Sequence, residues 1–582
     1  MKKLYLMLSM LFAFGAAANA IPAKKLQKVI TLTNGTQVSV ELRGDEYLSW
    51  WKGTDGTAYR ATADDAVFEA FDLEAQKPAA AARRARAEQG RVARLARVKN
   101  SLKGADDKMR GLGGDHITYK GVKKGLMVLV DFKNKKFADG HDLEYYKNVI
   151  NGKDFSDEEE GYVGSVRDYF LAQSNGQFEL DFDVVGPVTM SKNYGYYGND
   201  GAYQKDEKVY EMIKEACDGI QDKVNLKDYD WDGDGEADQV FFLYAGLGQA
   251  SGGSAGTIWP HESELRYWPC GVLSYPTGKI NTYACANELQ PETQGSSRYI
   301  SAGIGTICHE FSHCLGFADM YDTTGGGGYG MSVFDVMDQG SYNGNGFVPC
   351  NYTAFERIYA GWVEAIELES PATVKDMKSV SDYGRPFIMY NYKNTNEYFL
   401  MENRQNIGWD KGLYGSNGLL IVHVNYVPSR WANNSVNSSA EKIQCCTVVN
   451  ADGSRENTQY SLPGDLYPYE VKGVTMNDEF TDESEPAAKL YTKNSDNSYA
   501  LGIPITNIKR SKGSVSFLVC GGDDKNVIDN TFNGVVDGIN GVTVANKAAD
   551  NRIYSIDGRY LGTDASALGK GIYVVGGKKI VK

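Results

Sequence analysis

The sequence predicts an α+β protein: a twisted sheet with packed helices in its middle, then β-sandwich-like domains. Three observations carry that expectation. Leu126-Met127-Val128-Leu129-Val130 and Val240-Phe241-Phe242-Leu243-Tyr244 are continuous apolar runs of strand length, the pattern of strands buried on both faces. Helical spacing lies between them, from Tyr162 to Ser174 and from Tyr210 to Ile220. From about Ile366 to Cys520 helical patterns fade, and short β segments such as Tyr398-Phe399-Leu400-Met401, Leu419 to Val424 and Ser514 to Val519 take over.

The elements follow one another in a definite order. At 582 residues the chain is long enough for about three to five domains. Lys2 and Lys3, an apolar stretch from Leu4 to Phe14, and Ala18-Asn19-Ala20 are the three parts of a secretory signal peptide over 1–20, with cleavage expected after Ala20. Residues 21 to about 73 alternate polar and apolar, with turns at Asn34-Gly35 and Asp55-Gly56, as in a small β module. Ala79 to Lys99 is rich in Ala and Arg and poor in large apolar residues, and reads either as a solvated, partly helical linker or as an extended basic tether of a pro-segment with Arg83-Arg84 as a candidate cut. The stretch 21–112 therefore reads as a pro-segment with a basic linker, 113–365 as the part that carries the chemistry, 366–522 as a β-rich domain and 523–540 as a linker. Short strands and Gly turns then fill 541–582.

Composition narrows the partners. The net charge of −14, from 61 basic and 75 acidic residues, disfavours nucleic acid and anionic membranes. After the signal no charge-free apolar run is long enough to span a bilayer, so no transmembrane segment is expected in the mature chain. Nine Cys are too few for a disulfide scaffold, and the odd number leaves at least one thiol free or paired with another chain. None lies between Ile21 and His116, which excludes a pro-segment thiolate as a cap on a metal.

The chemistry resides in His309-Glu310-Phe311-Ser312-His313-Cys314-Leu315-Gly316-Phe317-Ala318-Asp319. Positions i and i+4 share a helix face, so His309 and His313 can offer two imidazole nitrogens to one Zn²⁺, with Glu310 beside an open coordination position. With six His in the whole chain, this spacing is hard to obtain by chance. Gly316 tolerates φ > 0 and can turn the chain back toward the metal, which makes Asp319 the best third ligand. Glu356 is the reserve, as a carboxylate from a later helix. Downstream, Phe334-Asp335-Val336-Met337-Asp338-Gln339-Gly340-Ser341-Tyr342 places a Met in a turn-forming context.

Together these residues resemble the peptidases of family M6, the immune inhibitor A group of secreted zinc metallopeptidases, whose domain is metzincin-like. Further matches are Leu129-Val130-Asp131-Phe132, Asp183 to Pro187, Thr257-Ile258-Trp259-Pro260-His261 and Glu402-Asn403-Arg404-Gln405. The similarity covers about 120–520, and Ala318 departs from the Pro often found before the Asp. It implies a zinc endopeptidase acting on protein or peptide substrates and made as a proprotein. In that reading Glu310 is the general base and His309, His313 and Asp319 hold zinc, while Tyr342 either lends a hydrogen bond to the oxyanion or is a structural residue.

Two other features sit outside the motif. Asp230, Asp232, Asp234, Glu236 and Asp238, with Gly235 between them, match the first nine positions of a calcium loop, but Phe241 stands where an EF-hand has Glu, so a structural Ca²⁺ site of another kind is expected. His261 either lines the cleft or is a hydrogen-bonded loop residue. Near the end, Lys570-Gly571-Ile572-Tyr573, Gly576-Gly577 and Lys578-Lys579 resemble the C-terminal sorting domain of the type IX secretion system. That resemblance implies type IX machinery as a partner and a protein released or held at the outer cell surface after passage through the periplasm. The competing function is a non-catalytic adhesin or glycan binder with a structural zinc site, against which stands the acid Glu310 beside an open metal position.

Overall fold

A computed structural model describes residues 21–62, 66–85, 119–200, 205–293, 296–324, 328–438, 443–455, 461–532 and 534, and backbone alone for 18–19 and for four strands between 553 and 581. The signal stretch 1–17, the boundary near 111–115 and Lys570-Gly571 lie outside the described residues. The chain divides into two compact units, Met1–Val535 and Val536–Lys582.

The first unit is organised by a mixed sheet. Its strand order is Ala18–Asn19, His261–Glu264, Thr282–Pro291, Val240–Leu247, Gly121–Asp131, Phe178–Thr189, with Tyr299–Ser301 also on Thr282–Pro291. The inner pairs are parallel, which is why Leu126–Val130 and Val240–Tyr244 read as unbroken apolar runs: both faces are covered. The strand His261–Glu264 is antiparallel to its neighbour. Alternation along the strands separates two cores. Met127, Leu129, Phe241, Leu243, Ala284 and Ala286 face one, which also takes Ile307, Phe311 and Leu315 of the helix Gly305–Cys314. Leu126, Val128, Val130, Val240, Phe242 and Tyr244 face the other, against Met212, Ile213 and Ala216 of the helix Val209–Ile220.

Both expected helices form. The first begins at Val166 rather than Tyr162, because Ser165 accepts from the Asp168 amide and Asp168 closes the capping box on the Ser165 amide.

Residues 27–70 close into a five-stranded barrel whose core holds Ile30, Val40, Tyr59 and Phe68. The stretch after it corrects one expectation. Residues 73–85 are a helix capped by Asp72, and Arg84 is buried and paired with Asp45 while Arg83 donates to the Tyr47 carbonyl. Arg83-Arg84 is therefore tied to Asp45 and Tyr47 in folded structure and is not an extended, accessible link.

Beyond residue 365 two sheets form. Phe387–Tyr390, Glu397–Arg404 and Gly418–Asn425 are central strands of a five-stranded sheet. Phe387, Met389, Phe399, Met401 and Leu419 point toward the second sheet, sharing a core with Val374, Ile505, Val515 and Phe517. Ile388, Tyr390, Leu400, Leu420 and Val422 point the opposite way, into the same core as the helix Gly305–Cys314. The boundary near 365 is thus a change of architecture within one packed unit. Residues 527–528 pair with Ala372–Met377, and Asn530 bonds Lys378 and Arg385, so 523–532 packs on this sheet rather than linking away from it.

In the second unit Tyr560–Gly562, Ile553–Ser555, Ile572–Val575 and Lys578–Val581 form an antiparallel sheet in that order. No helix among the described residues is long and apolar enough to cross a membrane. All nine Cys are free thiols, including Cys308 and Cys314 beside the histidines.

Candidate active site

The helix Gly305–Cys314 owes its position to a close approach. A Cβ on Gly305 would lie 1.8 Å from the Ser341 carbonyl oxygen, so only glycine lets the segment 339–346 lie against the first turn. The helix ends in a Schellman motif. Gly316, at φ 92°, donates to the His313 carbonyl at 2.9 Å, and the Phe317 amide donates to the Ser312 carbonyl at 3.1 Å. This reversal delivers the Phe317 carbonyl to His313 Nδ1 at 2.9 Å and carries Asp319 to the face of both imidazoles.

The tautomers follow from these partners. His309 Nδ1 lies 2.7 Å from the Val336 carbonyl. A carbonyl only accepts, so each Nδ1 carries the proton and each Nε2 presents its lone pair inward. Asp319 Oδ1 stands 3.3 Å from both Nε2 atoms. A tetrahedral ion with ligand bonds of about 2.0–2.1 Å holds its ligand atoms about 3.3 Å apart, so the three atoms have the spacing zinc requires. All three residues are buried, yet no hydrogen bond satisfies His309 Nε2, Asp319 Oδ1 or Glu310 Oε2 among the described residues. Buried polar atoms are rarely left so, and an ion supplies what is missing. His309, Glu310 and His313 also form a candidate metal group by proximity.

Two supports were not legible beforehand. Asn434 clamps Asp319 twice: its Nδ2 donates to Asp319 Oδ2 and its Oδ1 accepts from the Asp319 amide, both at 2.6 Å. It comes from far along the chain with no motif around it. The Met337 turn is held from behind by Arg404, which is fully buried and donates to the Phe334 carbonyl at 3.0 Å, to Glu402 at 3.0 Å and through a fork to Asp410 at 2.5 and 2.7 Å. Val336, which orients His309, is two residues on. Glu356, the reserve ligand, is elsewhere: it closes a capping box with Thr353 and shares a hydrogen bond with Asp335. Burial pushes both carboxyls up.

The cleft contains the chain's own N-terminal segment. The Ile21 amide nitrogen donates to Glu310 Oε1 at 2.7 Å, Trp259 Nε1 donates to the Ile21 carbonyl at 3.1 Å, Tyr342 donates to the Pro22 carbonyl at 2.8 Å and Gln339 to the Ala23 carbonyl at 3.2 Å. Just upstream, Ala18 and Asn19 pair antiparallel with Ser263 and Glu262 of the edge strand. Burial raises the Glu310 carboxyl well above its ordinary value, opposed by the Ile21 bond and reinforced by Asp319. Tyr342, the expected oxyanion donor, therefore reaches the peptide in the cleft.

His261 lies in the edge strand, buried between the Trp259 carbonyl at 2.7 Å and the Tyr283 hydroxyl at 2.9 Å, and burial lowers it to about 4. It is a neutral structural residue, and its alternative as a cleft-lining group falls away.

The acidic loop is knit by its own side chains, and its carboxylates converge only in part. Asp230 accepts from the Gly233, Asp234 and Gly235 amides, Asp232 from Asp234, and Asp234 from Glu236. Carboxylate oxygens of Asp230, Asp232 and Asp238 converge, and burial followed by the neighbouring Asp charges pushes Asp238 to about 7.

Comparison with known proteins agrees with this geometry. Residues 122–363 match the family profile described as Immune inhibitor A peptidase M6, catalytic domain. The chain is 27% identical over 327 residues to the Pre-pro-metalloprotease PrtV of Vibrio cholerae, covering 46% of this chain and 34% of that protein. It is 26% identical over 321 residues to Immune inhibitor A of Bacillus thuringiensis, covering 47% and 45%. The chain thus spans less than half the length of the curated relatives it matches.

Proposed function

We propose that this chain, whose residues 122–363 match the peptidase M6 catalytic domain, is a zinc-dependent endopeptidase, exported and made latent by its own N-terminal segment. The observation that carries this is the convergence of His309 Nε2, His313 Nε2 and Asp319 Oδ1 with Glu310 beside them. Those three side chains would hold the zinc, which when bound supplies Lewis acidity that makes a water nucleophilic near neutral pH.

The remaining chemistry belongs to the protein. The edge strand His261–Glu264 orients an extended peptide by backbone pairing, as it does residues 18–19. Glu310 takes the proton of the attacking water and passes it to the leaving amine. Tyr342 holds the backbone of the peptide in the cleft at the Pro22 carbonyl, and its hydroxyl is the donor we propose for the oxyanion. An adhesin with a closed structural metal has no use for a buried acid whose second oxygen is unsatisfied.

Latency comes from occupation of this cleft by residues 21–23. The full chain is expected to leave casein intact, while chain cut within 86–118 and freed of its pro-segment degrades it, and a zinc chelator stops the degradation. Casein cleavage of equal rate before and after the cut, measured by gel and by release of soluble peptides, contradicts the proprotein reading.

Asp230, Asp232, Asp234, the Glu236 carbonyl and Asp238 would hold Ca²⁺, which relieves the mutual repulsion of the acids. Calcium restored at about 100 times its Kd after selective chelation should add about 2.7 kcal/mol, read as a higher melting temperature. Asp232→Asn with Asp238→Asn should abolish the increment, and a wild-type chain indifferent to calcium would refute the site.

The signal pattern over 1–20 and the strand-rich module with Lys578-Lys579 support export by type IX machinery to the outer surface. Removing 536–582 should then trap the protein in the periplasm, and unchanged delivery to the medium or cell surface would count against the route.

A further inference from the structure

The segment in the cleft also records what the enzyme selects. In hydrolysis by a zinc-site base, the peptide C–N bond breaks and its nitrogen leaves with the proton held by the base, so that nitrogen must lie within hydrogen-bond reach of Glu310. The Ile21 nitrogen is 2.7 Å from Glu310 Oε1. Ile21 therefore occupies the position of the first residue after the bond to be cut, and its side chain occupies the corresponding pocket.

The surroundings of that side chain are apolar. Ile21 is fully buried in a cluster to which the catalytic part contributes Ala250, Trp259 and, at the margin, Tyr342, and the N-terminal segment itself Ala23, Leu26, Leu42 and Trp51. Trp259 is itself fully buried and donates to the Ile21 carbonyl at 3.1 Å, so one residue both walls the pocket and anchors the backbone of what enters it. Its own amide is fixed by Asp206 at 2.8 Å, which leaves the indole little freedom to withdraw. Lys205 lies over the Trp259 ring, 5.1 Å from its centroid, and Glu310 at the entrance disfavours an acidic side chain.

We infer that this site is specific for substrates with a medium-sized aliphatic residue, Ile, Val or Leu, immediately after the scissile bond, with Trp259 setting the size limit. The inference rests on the reading of Glu310 as the base and of residues 21–23 as the cleft's occupant. An aliphatic side chain gains from burial there, whereas a charged one loses its hydration with no partner. A pocket of this kind discriminates by roughly 10–200-fold in kcat/KM.

The test uses full chain that has folded with its pro-segment and is then cut at a protease site placed within 86–118. Peptide-library digestion followed by mass spectrometry reads the residue after each cut. Ile, Val and Leu should exceed Asp, Glu, Lys and Gly by at least about tenfold. Trp259→Leu should move the preference toward Phe and Tyr. Hexapeptides supply a readout that needs no variant to fold: Ile-Pro-Ala-Lys-Lys-Leu should inhibit the cut enzyme at least about tenfold better than the same peptide starting with Asp or Lys. Chelator-sensitive cleavage with no preference at that position overturns the inference and leaves the peptidase reading standing. Absence of any cleavage, indistinguishable from Glu310→Ala, overturns the peptidase reading and the inference with it.

Discussion

Glu310→Ala is expected to retain one bound zinc and the native melting temperature while losing roughly 10²–10⁴-fold or more in kcat/KM. Both histidines keep their carbonyl partners at 2.7 and 2.9 Å, and Asp319 keeps Asn434, so nothing that shapes the metal site depends on the Glu310 side chain. What disappears is the group that holds the proton beside the leaving nitrogen. The melting temperature should hold or rise, because burial of the Glu310 carboxyl is unfavourable in the folded state. Metal analysis and peptide kinetics on the same preparation check the claim. A variant that cleaves at the wild-type rate would remove Glu310 from the mechanism.

Arg404→Met should be the most damaging single change to stability, costing about 3–5 kcal/mol. The guanidinium is fully buried and holds Asp410 through two bonds, Glu402 through one, and the Phe334 and Asn351 carbonyls. Replacing it with an apolar group takes the hydrogen-bonded counter-ion from two buried carboxylates and leaves them only the charge of Arg357, a far larger loss than the removal of an exposed pair. Arg404→Lys should recover only part of the loss, since an ammonium cannot form the fork to Asp410. Because Phe334 leads into Val336, whose carbonyl orients His309, weaker zinc retention should accompany the fall in melting temperature. A Met variant that melts within a degree of wild type and keeps its zinc would show that the network is dispensable.

The contrast between these two residues marks what a single sequence could reveal. Glu310 was legible because helix geometry fixes which side chains share a face, and because Gly316 announces the turn that brings Asp319 home. The buried strands were equally legible, since parallel strands covered on both sides leave unbroken apolar runs. Arg404 and Asn434 act across 70 and 115 residues of chain, and no local pattern encodes such a distance. Glu356 looked like a ligand because a carboxylate on a helix is chemically suitable, and only packing showed it turned toward Asp335. Arg83-Arg84 looked accessible because charge usually means exposure, yet Asp45 draws Arg84 inside. Ile21 was the least legible of all: an apolar residue after a signal peptide carries no mark of an active-site occupant until the fold places it against Glu310.

The account stands or falls on whether one zinc at His309, His313 and Asp319 drives peptide hydrolysis. The most direct measurement strips the cut, active chain of metal and titrates Zn²⁺ back while recording cleavage of a fluorogenic peptide. Activity should be absent at the start, rise in proportion to added zinc and level off at about one equivalent per chain. Full activity in the metal-free chain, or zinc bound at one equivalent with no hydrolysis restored, would contradict it.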